Sequence, residues 1–266
     1  MNLKYLMGCI ISLPLLPIMY FQGKRIRAQI PSLPEARGTE GKSIFNNTTK
    51  PTINLLTIGE STIAGVGVQS HEEGFTGSLA KELSIIYQSN VNWKVYAKSG
   101  YTAESVANKI IPKITETDID LIVIGLGGND AFRLNSPAKW RQDIVKIIAE
   151  LKSKFPKAFL VFCNMPPIKE FPAFTPLIKF TIGNLVEILG KELHKVTMDD
   201  PQVYYYGKKI TLTAWLDHLD VEAKAADFFS DGVHPSKLTY QTWAKDLART
   251  IQKDEKTAIA FPFKAI

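Results

Sequence analysis

Cysteine is scarce: the 266 residues hold two, Cys9 and Cys163. Cys9 lies in an apolar leader, which leaves Cys163 without a partner in the body of the chain and excludes a disulfide framework. The body also lacks a surplus of charge. Residues 1–50 contain seven Lys/Arg against two Asp/Glu, whereas residues 51–266 contain 25 against 24. The net charge of +6 therefore belongs to the N-terminal segment, and a nucleic-acid partner is not expected. A phosphate-cradling loop is missing too, since Gly59-Glu60-Ser61-Thr62-Ile63-Ala64-Gly65-Val66-Gly67 has no Gly-Lys pair. What remains is an ordinary globular composition, 45% hydrophobic and 22% charged, without an internal repeat.

Residues 5–21 carry no charge and are bounded by Lys4 on one side and by Lys24, Arg25 and Arg27 on the other. A bilayer core of ~30 Å takes about 20 helical residues, so this run is at the short end of what spans one. It is apolar all round, unlike an amphipathic core helix, and Met19-Tyr20-Phe21-Gln22 offers no small-residue cleavage site for a signal peptidase. We read residues 1–28 as a membrane anchor. The flanking charge favours a cytoplasmic domain; a periplasmic or extracytoplasmic one is the alternative. Residues 29–51, with Pro31, Pro34, Gly38 and Gly41, read as a linker, and Asn46-Asn47-Thr48-Thr49 holds glycosylation sequons.

After Pro51 short apolar runs alternate with longer amphipathic stretches. The runs are 53–58, 91–97, 121–124, 158–163 and 203–206; most lack polar alternation, which implies strands buried on both faces. Helices are expected over 72–87, 103–111, 137–154, 177–197 and 237–253. This alternation predicts an α/β/α sandwich around a five-stranded parallel sheet, with residues 52–255 as one domain and 256–266 as a tail. Ligands of such sheets bind at the carboxyl ends of the strands, so the residues just after each run come first.

Ser61 follows the first run, where Gly59 permits a tight turn and a helix cap is the competing reading. Gly100 follows the second and exposes a backbone N–H that suits an oxyanion. Gly127-Gly128-Asn129-Asp130 follows the third; the Asn129 amide is a further oxyanion donor, and Asp130 either orients it or caps a turn. Asp231 and His234 stand three apart before the last helix, so one turn brings the carboxylate onto one ring nitrogen and leaves the other as a general base. Ser236 offers the competing reading of that segment, a helix cap. His71 and His194 read as surface or hydrogen-bonded residues, and His218, although near carboxylates, is too few ligands for a metal.

In chain order these pieces, Gly59-Glu60-Ser61, Gly100, Gly127-Gly128-Asn129-Asp130 and Asp231-Gly232-Val233-His234, resemble the four blocks of the SGNH, or GDSL-type, hydrolases over about residues 52–252. One departure is Glu60, where the family usually has aspartate before the serine. The resemblance implies a flavodoxin-like fold and hydrolysis of acyl esters, with a catalytic triad of Ser61, His234 and Asp231. It also implies an oxyanion hole from the N–H groups of Ser61 and Gly100 and the side chain of Asn129. No metal or organic cofactor is required. An acyltransferase with the same triad, a non-catalytic acyl- or glycan-binding module and a flavodoxin-like cofactor binder are the alternatives. The proline-stiffened segment 164–174 reads as a lining for the acyl group or as packing over the sheet end.

Overall fold

The computed structural model describes residues 3–218 and 223–260. Its centre is a six-stranded sheet in the order β1-β3-β2-β4-β5-β6. The strands are β1 (Glu40–Ser43), β2 (Ile53–Gly59), β3 (Val91–Ala97), β4 (Leu121–Gly125), β5 (Phe159–Phe162) and β6 (Val203–Tyr205). The last five are mutually parallel, as the buried apolar runs require. The sixth differs from the five-stranded expectation: β1 lies within the stretch read as linker and pairs antiparallel with β3 at the edge. Its residues, Glu-Gly-Lys-Ser, alternate between exposed and half-buried. Gly41 is required there, because a β-carbon would stand 2.3 Å from the Trp93 ring.

Helices cover both faces. On one, α4 (Ala103–Lys109), α6 (Pro137–Lys154) and α7 (Pro176–Thr197) pack on Leu56, Ile58, Ile122, Ile124, Leu160 and Phe162. On the other, α3 (Phe75–Tyr87), the short α8 (Leu212–His218) and α9 (Lys237–Lys253) cover Ile53, Leu55, Leu121, Val123, Phe159 and Val161. Alternate residues of each strand thus feed two separate cores, which makes the three-layer α/β/α sandwich. A one-turn helix, α5 (Gly128–Phe132), follows β4, and α10 (Glu255–Ala260) opens the stretch read as a tail. Residues 261–266 lie outside the described residues.

The N-terminal segment is helical as α1 (Leu3–Ser12), a 3₁₀ turn and α2 (Leu16–Gln29), with Pro14 and Pro17 at first-turn positions where proline is tolerated. The run Leu3–Gln29 has a window of mean hydropathy 1.6 of which 6% is buried. It lies along α7: Met19 joins the core beside α7, and Gln22 accepts a 2.6 Å hydrogen bond from the Thr175 hydroxyl.

The register sets up the functional edge. Gly59 of β2 stands opposite Ala97 of β3 and Gly125 of β4, so three central strands end level. The loops that follow, with Ser61, Gly100 and Asn129, leave the sheet side by side.

Candidate active site

Gly59 and Gly125 let β2 and β4 close up at this edge, since a β-carbon on Gly59 would meet the Gly125 carbonyl at 2.3 Å. The chain then turns sharply: Ala64 N–H donates to Glu60 O at 2.8 Å and Val66 N–H to Ser61 O at 3.1 Å. Ser61 is therefore the second residue of a tight turn and caps no helix. Among the described residues its hydroxyl and its backbone N–H have no protein hydrogen-bond partner.

Gly100 is exposed with φ +80°, and nothing lies within 4 Å of where a β-carbon would stand. Its N–H likewise has no protein acceptor among the described residues. The next residue, Tyr101, accepts a 3.0 Å bond from Nδ2 of Asn129, which pins that amide between two loops. Thr102 caps α4 through the Ser105 N–H.

Gly127 has φ +121°, and a β-carbon there would stand 2.5 Å from the Met165 methyl. Asp130 turns away from the edge. Its buried carboxylate accepts from the Ala103 N–H at 2.9 Å and from the Asn135 amide at 2.8 Å, and burial raises its pKa. It is the capping choice that the structure has, not a partner of the Asn129 side chain.

Asp231 and His234 meet as their spacing suggests. Oδ2 of Asp231 stands 2.7 Å from Nδ1 of His234, while Oδ1 accepts the backbone N–H groups of Val233 (2.9 Å) and His234 (2.7 Å). The Asp231 side chain is fully buried and that of His234 is 24% exposed. Burial pushes the Asp231 carboxyl up, but its bonds from the His234 ring and the two N–H groups prevail and hold it below the usual range. Asp227, the other carboxylate in this segment, accepts from the Lys224 N–H. Ser236 caps α9 through the Thr239 N–H.

Two contacts dock this loop on the Ser61 turn. The Ser230 hydroxyl reaches the carbonyls of Pro235 (2.9 Å) and Gly67 (3.2 Å), and the buried Tyr240 hydroxyl donates to Val66 O at 2.8 Å. Segment 164–174 packs beside them, with Ala173 N–H donating to Gly232 O at 3.1 Å. Rings of Phe132, Phe171, Phe174 and Phe229 contact one another at centroid distances of 5.3–5.5 Å. A cavity of about 50 Å³ lies against Glu60, Thr62, Phe171 and Phe229. A larger cleft of about 1030 Å³ continues along the same edge past Met165 to Ile210.

Sequence reasoning missed the position of Glu60, whose signal was a lone carboxylate at the end of an apolar strand. It is 5% exposed, and its two oxygens accept from the N–H groups of Gly128 (2.8 Å) and Asn129 (2.9 Å). Burial pushes its pKa up to about 7 against those two bonds and a smaller lowering contribution from the Asn129 side chain, with help from nearby Asp130. His71, expected at the surface or hydrogen-bonded, is buried, which lowers its pKa. The side chain of His218 lies outside the described residues. Among the described residues no cluster of His, Cys, Asp or Glu suits a metal ion.

Residues 57–242 match the model of the GDSL-like lipase/acylhydrolase family. Esterase TesA of Pseudomonas aeruginosa is 27% identical over 115 residues, 42% of this chain and 55% of that protein. The chain thus spans about half the length of the curated relative it matches. The crystal structure of TesA superposes with a TM-score of 0.55 at 20% identity, over 74% of this chain and 97% of that one. The Clostridium thermocellum family 3 carbohydrate esterase gives 0.56 at 17% identity, over 79% and 100%. At such identities these two structures speak for the α/β/α fold.

Proposed function

The chain belongs to the GDSL-like lipase/acylhydrolase family, and on that premise we propose that it is a serine hydrolase of acyl esters. The observation that carries this reading is the Asp231–His234 pair, 2.7 Å apart, on a loop docked against the turn of Ser61. In the proposed reaction Nε2 of His234 takes the proton of Ser61 as its Oγ attacks the ester carbonyl. Asp231 holds the ring through Nδ1–H, fixing the tautomer and stabilising the imidazolium. The same proton then passes to the leaving alcohol, and water, activated by the same nitrogen, releases the acyl group from Ser61.

The developing oxyanion falls to the N–H groups of Ser61 and Gly100 and to Nδ2 of Asn129. Among the described residues both N–H groups are free of protein acceptors, and Nδ2 has a second hydrogen beyond the one given to Tyr101. Losing one such donor costs about 10²–10³ in rate. The names of the relatives, an esterase and a carbohydrate esterase, suit small-molecule or glycan esters as substrates. Transfer to an alcohol in place of water uses the same residues.

A fluorophosphonate probe tests the reading. It is expected to label Ser61 alone, and Ser61→Ala is expected to lose both label and esterase activity while keeping its circular dichroism. Labelling that survives the substitution overturns the assignment. The helical run Leu3–Gln29, largely exposed, supports a membrane anchor. Full-length protein is then expected in the membrane pellet after carbonate and high-salt washes, and a chain lacking residues 1–28 in the supernatant. A reporter fused after residue 266 reads the orientation, for which flanking charge favours the cytoplasmic side.

A further inference from the structure

Glu60 sits between the turn glycine of β2 and Ser61, yet its side chain belongs to the neighbouring loop. Its own N–H donates to Gly125 O at 3.1 Å, and its two carboxylate oxygens take the N–H groups of Gly128 and Asn129. These N–H groups open the first turn of α5 and have no intrahelical acceptor. The fit is close, because a β-carbon on Gly128 would stand 3.0 Å from Oε1. An aspartate on the same backbone would fall short of them by about 1.5 Å, one carbon–carbon bond.

We infer that Glu60 is a positioning residue: its ionised carboxylate clamps the start of α5, fixing the Asn129 side chain relative to Ser61, and its protonation loosens the clamp and slows turnover. The inference rests on the serine-hydrolase reading above. A carboxylate accepts both N–H groups at once, whereas a carboxylic acid presents one carbonyl oxygen and one hydroxyl, so one N–H loses its full partner.

The surroundings place this change in the neutral range. Burial raises the pKa of Glu60 to about 7 despite the two N–H bonds and the Asn129 side chain, which lower it, and the charged group that faces it, Asp130 of α5, acts in the same direction as burial. Leu126 after β4, Asn164 and Pro166 after β5, and Thr239 and Trp243 of α9 line the adjacent cavity and are uncharged.

Two measurements on the full-length protein in detergent test the clamp. The first needs no activity: ¹⁵N–¹H spectra are followed from pH 5 to 9. The Gly128 and Asn129 amides are expected to move with one shared midpoint near 7 in the wild type and to be flat in Glu60→Gln. Amides that do not titrate in the wild type overturn the inference, whatever becomes of the serine assignment. The second is the pH profile of p-nitrophenyl acetate hydrolysis. Ionised Glu60 is needed for full turnover, so the acid limb of the wild type is expected to be steeper than that of Glu60→Gln, which lacks this ionisation. At pH 8 this variant is expected to lose about 10–100-fold in kcat with KM changed less than about threefold, part of what removing an oxyanion donor costs.

Because Glu60 acts through Asn129, the same substitution in an Asn129→Ala background is expected to cost little more. Losses that multiply independently, or acid limbs of equal steepness in the wild type and Glu60→Gln, overturn the clamp. If Glu60→Gln does not fold, Glu60→Asp takes its place: it keeps a charge but not the reach, and is expected to lower kcat and to uncouple the two amides from the shared midpoint.

Discussion

The Ser230 hydroxyl reaches the Gly67 carbonyl at 3.2 Å, joining two loops that are 163 residues apart in sequence. One carries Ser61 and the other His234, so this contact helps set the distance between the proposed nucleophile and its base. Gly67 makes the approach possible: its φ is +107°, and a β-carbon would stand 2.4 Å from the Pro235 carbonyl. Gly67→Ala is expected to strain the backbone by about 1–3 kcal/mol and to push the loops apart. Denaturant melts read the first effect. Esterase assays at a temperature where the variant stays folded read the second, as a fall in kcat of at least about tenfold.

Asp231→Asn separates charge from shape. The amide oxygen can keep the N–H groups of Val233 and His234, so the turn survives and stability is expected to fall by less than about 1 kcal/mol. The amide nitrogen would instead face Nδ1 of His234 as a donor, which moves the ring proton to Nε2. A ring protonated there cannot take a proton from Ser61. The corresponding change in a serine protease costs about 10⁴ in kcat. Here a loss of about 10²–10³ is expected, because the ring is held by a neighbour three residues away. Unchanged kcat, with Asp227→Asn inactive instead, would give the triad a different carboxylate.

Glu60 also leaves a mark on stability. Its pKa is raised in the folded chain from 4.5 to about 7, so the fold favours the protonated form. That contribution is complete below pH 4.5 and is lost as pH rises to about 7. Relative to Glu60→Gln, the wild type is therefore expected to lose about 3 kcal/mol between those limits, at about 1.36 kcal/mol for each pH unit crossed. Urea midpoints of both proteins at pH 4.5, 6 and 8 measure the difference, and parallel curves would contradict it. The clamp is thus ionised where it stabilises the fold least.

How far the sequence alone reaches depends on where each residue finds its partners. The five parallel strands were legible as short runs rich in β-branched and aromatic residues, unbroken where both faces are buried, as in Leu121–Gly125. The edge strand β1 was not, since Glu-Gly-Lys-Ser has no apolar alternation and is a strand only because β3 supplies the backbone partners. Likewise α5 has five residues and begins Gly-Asn-Asp, a sequence that reads as a loop until the Glu60 carboxylate closes its first turn. At the edge, Asp231 and His234 were legible as a pair because they are close in the chain. The positions of Asp130 and Glu60 were not, because the groups that hold them, the N–H of Ala103 and those of Gly128 and Asn129, lie 27, 68 and 69 residues away.

The aromatic cluster beside His234 suits the acyl side of a substrate. Phe174 follows Ala173, whose N–H holds the Gly232 carbonyl, and its ring lies between Phe132 of α5 and Phe171. It is half-buried and Phe132 is exposed, so the cluster opens to solvent between the Asn129 and His234 arms. An acyl chain laid there would gain about 0.8 kcal/mol for each methylene it buries, close to fourfold in kcat/KM. For p-nitrophenyl esters from acetate to octanoate, kcat/KM of the wild type is expected to climb with chain length and then level off where the chain outruns the rings. Phe174→Ala is expected to leave the acetate within about threefold while flattening the climb, so that the longest ester loses about 10-fold or more. If the variant lowers every ester by the same factor, the ring supports the His234 loop instead, and the acyl chain lies elsewhere along the edge.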